Sequence, residues 1–111
     1  MQEAQIVYNH DILLEEAGSG VQRKILSYTP QIMIVEVHFQ EGGIGTLHTH
    51  PHEQMTYIRS GRFRFTIDGK TVEVSEGDTI SFPSAIPHGT LCLEAGILLD
   101  IFHPMREDFI K

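Results

Sequence analysis

The sequence is poor in the features that would place it in several large functional classes. It holds one cysteine, Cys92, so no disulfide can form within the chain, and a reducing cytoplasm is the compartment expected for it. Basic residues are scarce. Eight Lys and Arg against fifteen Asp and Glu give a net charge of −7, the wrong sign for a surface that grips nucleic acid through clustered cations. No basic residue precedes Arg23, whereas Glu3, Asp11, Glu15 and Glu16 do, the opposite of a secretory leader. The longest segment free of Asp, Glu, Lys and Arg, residues 79–93, is interrupted by Pro83, Pro87 and Gly89, so no membrane span is expected. Tandem repeats, low-complexity tracts and linkers are missing as well. What remains is 111 residues, 41% hydrophobic and 21% charged, which suits one globular domain over 1–111.

Short runs rich in β-branched and aromatic residues fill that length. Residues 21–27, 31–40, 53–59, 62–67, 70–74, 79–82, 89–93 and 97–102 read as strands. Turn signals separate them: Thr29-Pro30, the glycines of 42–45, Ser60-Gly61, Asp68-Gly69, Gly77-Asp78 and Ala95-Gly96. Only 11–16 and 105–109, the latter after Pro104, offer helical character. Many short strands at close spacing predict an all-β sandwich or barrel with a short C-terminal helical turn.

The central strands can be placed in register. Taking Ser60-Gly61 as a two-residue turn sets Ile58 opposite Phe63 and Thr56 opposite Phe65. Asp68-Gly69, a type I′ signal, sets Phe65 opposite Val72, Arg64 opposite Glu73 and Phe63 opposite Val74. Phe63, Phe65, Ile67, Val72 and Val74 then share one face, and by the same parity Gln54, Thr56 and Ile58 point inward. A slip of one residue would bury the arginines, so the register is well specified. Arg59, Arg62 and Arg64 are expected as solvated charges on the outer face, where Met55 and Tyr57 also lie and suggest a homodimer contact.

Chemistry concentrates in His48-Thr-His50-Pro-His52. Residues two apart on a strand share a face, so His48 and His50 can aim two imidazoles at one point, the beginning of a transition-metal site. Gln54, inward by parity, brings an amide oxygen nearby, and His88, after Pro83 and Pro87, is the best-placed further donor. His52 is expected at the rim or behind the ligands. His38 and Glu36 oppose the apolar face of Met33, Val35, Val37 and Phe39, and either line the cavity or face outward. Cys92 reads as a small buried hydrophobe.

These residues resemble a known family. Gly42, His48, His50, Gln54 and Gly61, then Gly77, Pro83, Ala85 and His88, separated by residues 62–76, are similar to the two motifs of the cupins. Gln54 stands where those motifs usually have Glu, Ala85 where they have Gly, and Cys92 where they have Asn. The stretches 48–54 and 99–109, with Leu99-Asp-Ile-Phe-His-Pro-Met-Arg106 in the second, resemble the small single-domain cupins of the KdgF type from pectin degradation. The resemblance implies a double-stranded β-helix, or jelly-roll, barrel. It implies one divalent transition metal ion (Ni, Fe, Mn, Zn or Cu) on His48, His50, Gln54 and His88, with Asp100, Phe102 and Arg106 as catalytic residues. It further implies linearisation of 4,5-unsaturated monouronates from pectin or alginate, so the partner is a small sugar acid.

The residue types suit that chemistry. Three neutral imidazoles and an amide leave the metal its full +2 charge, a stronger Lewis acid toward an anionic substrate than a site containing a carboxylate. Ring opening removes a proton from the anomeric hydroxyl and adds one at a neighbouring carbon, work for one carboxylate, here Asp100. A turn over Glu94-Ala95-Gly96 would set Asp100 opposite Thr90 and beside the metal. Asp100 could instead pair with a buried histidine, and Gln54 could line the barrel off the metal. Two other functions stay open: a three-histidine iron dioxygenase and a non-catalytic sugar-binding cupin.

Overall fold

A computed structural model describes residues 3–110, and its chain is mostly antiparallel strand. The strands are β1 (Glu15–Gly18), β2 (Val21–Tyr28), β3 (Met33–Phe39), β4 (Ile44–His48), β5 (Glu53–Ile67), β6 (Lys70–Ser75), β7 (Thr79–Phe82) and β8 (His88–His103). One helical turn, α1 (Glu107–Ile110), closes the described chain. No helix among the described residues is long and apolar enough to cross a membrane.

Two long strands organise everything else. β5 and β8 run antiparallel from Glu53 opposite His103 to Ile67 opposite His88, and each serves two layers. One layer joins β1, β2 and β3 to the C-terminal half of β8, the N-terminal half of β5, and β7. The other joins β4 to the N-terminal half of β8, the C-terminal half of β5, and β6. The layers face each other over Val21, Phe39, Ile58, Phe63, Phe65, Phe82, Cys92 and Leu98, all buried. A second cluster of Met33, Val35 and Phe102 fills the C-terminal end and takes Met105 and Phe109 against it. This is the expected jelly roll.

Two expected turns do not exist. Ser60-Gly61 and Glu94-Ala95-Gly96 are not hairpin loops; they are bends within β5 and β8, where the ladder shifts register between Ile58 and Phe63. The inward set Gln54, Thr56, Ile58, Phe63 and Phe65 is nevertheless buried. The reason is parity: a bulge that adds a residue exchanges faces, as a two-residue turn does. The Asp68-Gly69 hairpin forms in the predicted register, Phe65 opposite Val72 and Phe63 opposite Val74, with both turn residues at positive φ (49° and 82°). Val72, on the predicted inner face, is 42% exposed because β6 ends its layer.

Of the expected helical stretch 11–16, only Asp11 lies in a helical turn. A 3-10 turn at Asn9–Asp11 leads into β1, where Glu15 and Glu16 accept hydrogen bonds from Arg23 Nε (2.7 Å) and Gln22 Nε2 (2.8 Å) across the ladder. Cross-strand pairing overrides a short stretch of helix formers. β4 also went unforeseen: its glycine gives little β signal, and it forms by pairing with β8.

Glu36 and His38 lie on the outer face. Glu36 is buried there, accepting from His38 Nε2 (2.7 Å), Asn9 Nδ2 (2.9 Å) and Arg59 Nη1 (3.2 Å), which straps the N-terminal segment onto the sheet. Burial pushes its carboxyl up, but these bonds and the charges of His38 and Arg59 prevail and hold it below the usual 4.5. A depressed folded-state pKa adds stability above the unfolded value that is lost as pH falls through the folded one. Glu36→Gln is therefore expected to lower stability at pH 7 and to flatten the acid side of the stability profile below about pH 4.5, read by urea midpoints across pH.

The bends in β5 and β8 are possible because Gly61 and Gly96 meet there. A Cβ on Gly96 would sit 2.6 Å from Gly61 Cα, and one on Gly61 would sit 2.6 Å from the Glu94 carbonyl oxygen. Both obstacles are backbone and cannot move aside. Gly96→Ala is expected to cost about 3 kcal/mol in chemical denaturation. Gly69→Ala, at positive φ but in open space, is expected to cost about 1 kcal/mol.

Candidate metal centre

β4 ends at His48, the following segment carries His50, and β8 opens with His88, directly opposite His48 in the ladder. The three rings converge, with centroids 4.6 Å apart for His48 and His88, 5.1 Å for His50 and His88, and 5.4 Å for His48 and His50. One donor nitrogen from each lies within 4.8 Å of the others. The fully buried Phe82 ring stacks on His88 at 4.4 Å and fixes its plane.

Backbone carbonyls choose the tautomer. His48 Nδ1 donates to Thr46 O (2.6 Å), His50 Nδ1 to His52 O (3.0 Å) and His88 Nδ1 to Ile86 O (3.0 Å). A carbonyl can only accept, so each Nδ1 carries a hydrogen, and in the neutral form of each ring Nε2 is left with the lone pair. Burial, chiefly, lowers the pKa of His50 and His88; neighbouring cationic charge adds to this, against the contacts with Gln54 and Ile86. Both rings are therefore neutral near pH 7, the state in which imidazole binds metal.

Gln54 is oriented by its other end. Its Nε2 donates to Thr56 Oγ1 (2.9 Å) and Asp100 Oδ1 (3.3 Å), so its Oε1 must face the histidines, 3.0 Å from His50 Nε2. Two lone-pair atoms at that separation repel unless a cation lies between them. The donor set, three Nε2 atoms and an amide oxygen, fits a divalent transition metal ion held by His48, His50, His88 and Gln54.

Asp100 lies on the same face of β8 as His88, an even number of residues along one unbroken strand. Its place beside the cluster comes from pairing opposite Thr56 rather than Thr90. Thr56 Oγ1 donates to Asp100 Oδ1 at 2.7 Å, and Oδ2 has no hydrogen bond among the described residues. Desolvation raises its pKa to about 6, against the bonds from Thr56 and Gln54 and the charge of Arg106. Asp100 thus pairs with the threonine and the amide, not with a histidine.

Phe102 is buried, its ring 5.7 Å edge-on from His50 and 5.0 Å beneath the Arg106 guanidinium. Arg106 Nε and Nη2 bind Asp108 Oδ1 (3.1 Å) and Oδ2 (2.9 Å). His52 packs 5.5 Å from His50, and its Nδ1 is buried without a hydrogen-bond partner among the described residues. Sequence reasoning assigns no functional role to Thr56 or Arg23. Thr56 is signalled only by sharing inward parity with Gln54, and Arg23 by being a charge between inward Val21 and Ile25.

These side chains surround a cavity of about 150 Å³, lined by His48, His88, Gln54, Asp100, Arg106 and Arg23 among others. A larger groove of about 810 Å³ lies between the N-terminal segment and β2–β3, against Val7, Leu26, Tyr28 and Ile32. Among the described residues the histidine cluster borders the smaller space and not this groove.

Residues 35–102 match the cupin domain family. The pectin degradation protein KdgF of Dickeya dadantii (strain 3937) is 40% identical over 98 residues, covering 86% of this chain and 89% of its own. The structure of KdgF from a Halomonas species superposes with a TM-score of 0.91 at 34% identity, over 96% of this chain and 99% of that one. An RmlC-like cupin from Shewanella frigidimarina also gives 0.91, at 33% identity over 97% of each chain.

Replacing His48 or His88 by Ala is expected to weaken metal binding by more than the roughly 10–100-fold that losing an outer-shell partner costs. Thr56→Val, which removes only a partner of Gln54 and Asp100, should fall within that range. Metal content after dialysis against graded chelator measures both.

Proposed function

The chain belongs to the cupin family, and from that membership and the chemistry of its cavity we propose that it opens the ring of 4,5-unsaturated monouronates to the 5-keto-4-deoxyuronate. The Dickeya relative acts in pectin degradation, as its name states. The observation that carries the proposal is the carboxylate of Asp100, tied down through Oδ1 by Thr56 and Gln54, with Oδ2 free beside three convergent histidines. A cavity of about 150 Å³ suits one sugar ring better than a polymer, being below the roughly 300–1,000 Å³ of drug-sized sites.

In the proposed reaction Asp100 Oδ2 takes the proton of the anomeric O1. The C1–O5 bond breaks, C1 becomes an aldehyde, and the bonding pair leaves on O5 as an enolate across C4 and C5. Asp100 then returns the proton to C4, giving the ketone at C5. Nothing is gained or lost overall, so the step is an isomerisation. A divalent ion on His48, His50, His88 and Gln54 supplies Lewis-acid stabilisation of developing negative charge. Phe102 offers an apolar wall to the sugar, and Thr56 and Gln54 keep Asp100 aimed.

Freshly generated unsaturated galacturonate is expected to lose its ultraviolet absorbance faster with the metal-loaded protein, equally with and without oxygen, and a chelator should abolish the acceleration. Asp100→Asn is expected to lower kcat by about 10²–10⁴ while metal content is retained. An absolute requirement for oxygen would favour an iron dioxygenase, and unchanged turnover in Asp100→Asn would remove the proposed proton carrier.

A further inference from the structure

We propose that Arg23, on β2, receives the carboxylate of the anionic sugar and so sets the specificity of the cavity for acids. This rests on the uronate reading of the same site.

Inward positions of β2 are Val21, Arg23 and Ile25, so a full cation occupies a row otherwise apolar. Arg23 pairs with Val37, which pairs with Leu98, one step along the barrel from the row that joins Val35 to Asp100. β2 and β8 are thus separated by β3 alone, two strand spacings or about 10 Å. A small ligand held near Asp100 spans much of that distance, and the arginine side chain covers the rest.

Two guanidiniums line the cavity, and they differ in what they have free. Arg106 is 13% exposed and already neutralised by a two-pronged contact with Asp108, through Nε (3.1 Å) and Nη2 (2.9 Å). Arg23 is 22% exposed and gives only Nε to Glu15 (2.7 Å), a carboxylate that is itself 49% exposed. Both Nη groups of Arg23 are without a hydrogen bond among the described residues. An end-on fork of parallel N–H donors is the geometry that matches a carboxylate. Its plane is steadied by the Phe109 ring, whose centroid lies 3.8 Å from Cζ. Among the described residues Asp100 is the only carboxylate lining the cavity, its Oδ1 is held by Thr56 and Gln54, and it makes no ion pair with Arg23, whose one carboxylate partner is Glu15.

The test uses titration calorimetry of the metal-loaded protein with galacturonate and with its uncharged methyl ester, in wild type, Arg23→Met and Arg23→Lys. Wild type is expected to prefer the acid by about 10- to 100-fold. Arg23→Met should reduce that preference to within about twofold, and Arg23→Lys, a point charge without the fork, should fall between. On unsaturated galacturonate the Arg23→Met loss is expected in KM more than in kcat. An arginine that merely holds Phe109 and Glu15 would weaken acid and ester alike, and that result overturns the proposal. So does a wild type without preference. If Arg23→Met fails to melt cooperatively, Arg23→Lys decides: an undiminished preference overturns the proposal. Turnover by wild type with an unchanged preference in the variants removes Arg23 and leaves the reaction standing. Neither binding nor turnover in wild type removes both.

Discussion

The molecule depends on one close approach of backbone, where β5 and β8 bend past each other at Gly61 and Gly96. Hydrogen bonding continues along both strands on either side of the bends, so each contributes to two layers without interruption by a loop. A side chain at either glycine would meet carbonyl oxygens or Cα atoms within 3 Å and would force the layers apart. The consequence reaches the site directly. Because β8 is one strand, His88 in its first half and Asp100 in its second share a face and look into the same cavity. A candidate metal ligand and the carboxylate proposed as proton carrier, which lie in different layers, are thereby fixed on one element.

Within the cavity, orientation is supplied mostly by backbone. Three carbonyls take the three Nδ1 hydrogens, and each comes from a residue two positions away in sequence, so local chain geometry sets the tautomer. Gln54 is the joint between the histidines and the acid. Its amide oxygen faces His50 while its nitrogen reaches Thr56 and Asp100, so the placement of the donor set and that of the carboxylate are coupled through one planar group. A glutamate there, at neutral pH, would present only acceptors to Asp100 and would set two carboxylates side by side. The glutamine is therefore suited to orienting the acid as much as to holding a cation.

Much of this was legible in the sequence, and the losses have physical causes. Side-chain parity identified Gln54, Thr56 and Ile58 as inward because the bulge in β5 exchanges faces just as a two-residue turn does. The connection itself was misjudged at Ser60-Gly61 and Ala95-Gly96, since glycine signals equally a turn and a bulge with close backbone approach. The two-residue spacing of His48 and His50, and the place of His88 after Pro83 and Pro87 in the second cupin-like motif, signal the histidine cluster in the sequence itself. The amide orientation of Gln54, the support from Thr56 and the pairing state of Arg23 depend on contacts distant in sequence, and no local pattern encodes them. Ala85 is an intermediate case: the motif position usually held by glycine does adopt φ 64° here, so the backbone demand was readable and only the residue meeting it was unusual.

The charge layout reconciles an acidic protein with the anionic ligand proposed for it. A net charge of −7 repels anions at long range, but charges on the outer face act through water and are screened beyond about 10 Å at ordinary ionic strength. The outer-face arginines are largely consumed locally, Arg62 and Arg64 by Glu73 and Glu94, and Arg59 by Glu36. Inside the cavity the balance is reversed. Among the described residues Asp100 is the one carboxylate lining it, against the Arg23 guanidinium, the Arg106 guanidinium with its Asp108 partner, and a donor set suited to a dication, in surroundings where each interaction is less screened than at the surface. Short-range attraction in a poorly solvated space outweighs diffuse repulsion from a well-solvated one. Selection for an acid can therefore be made by a few interior side chains, against the sign of the protein as a whole.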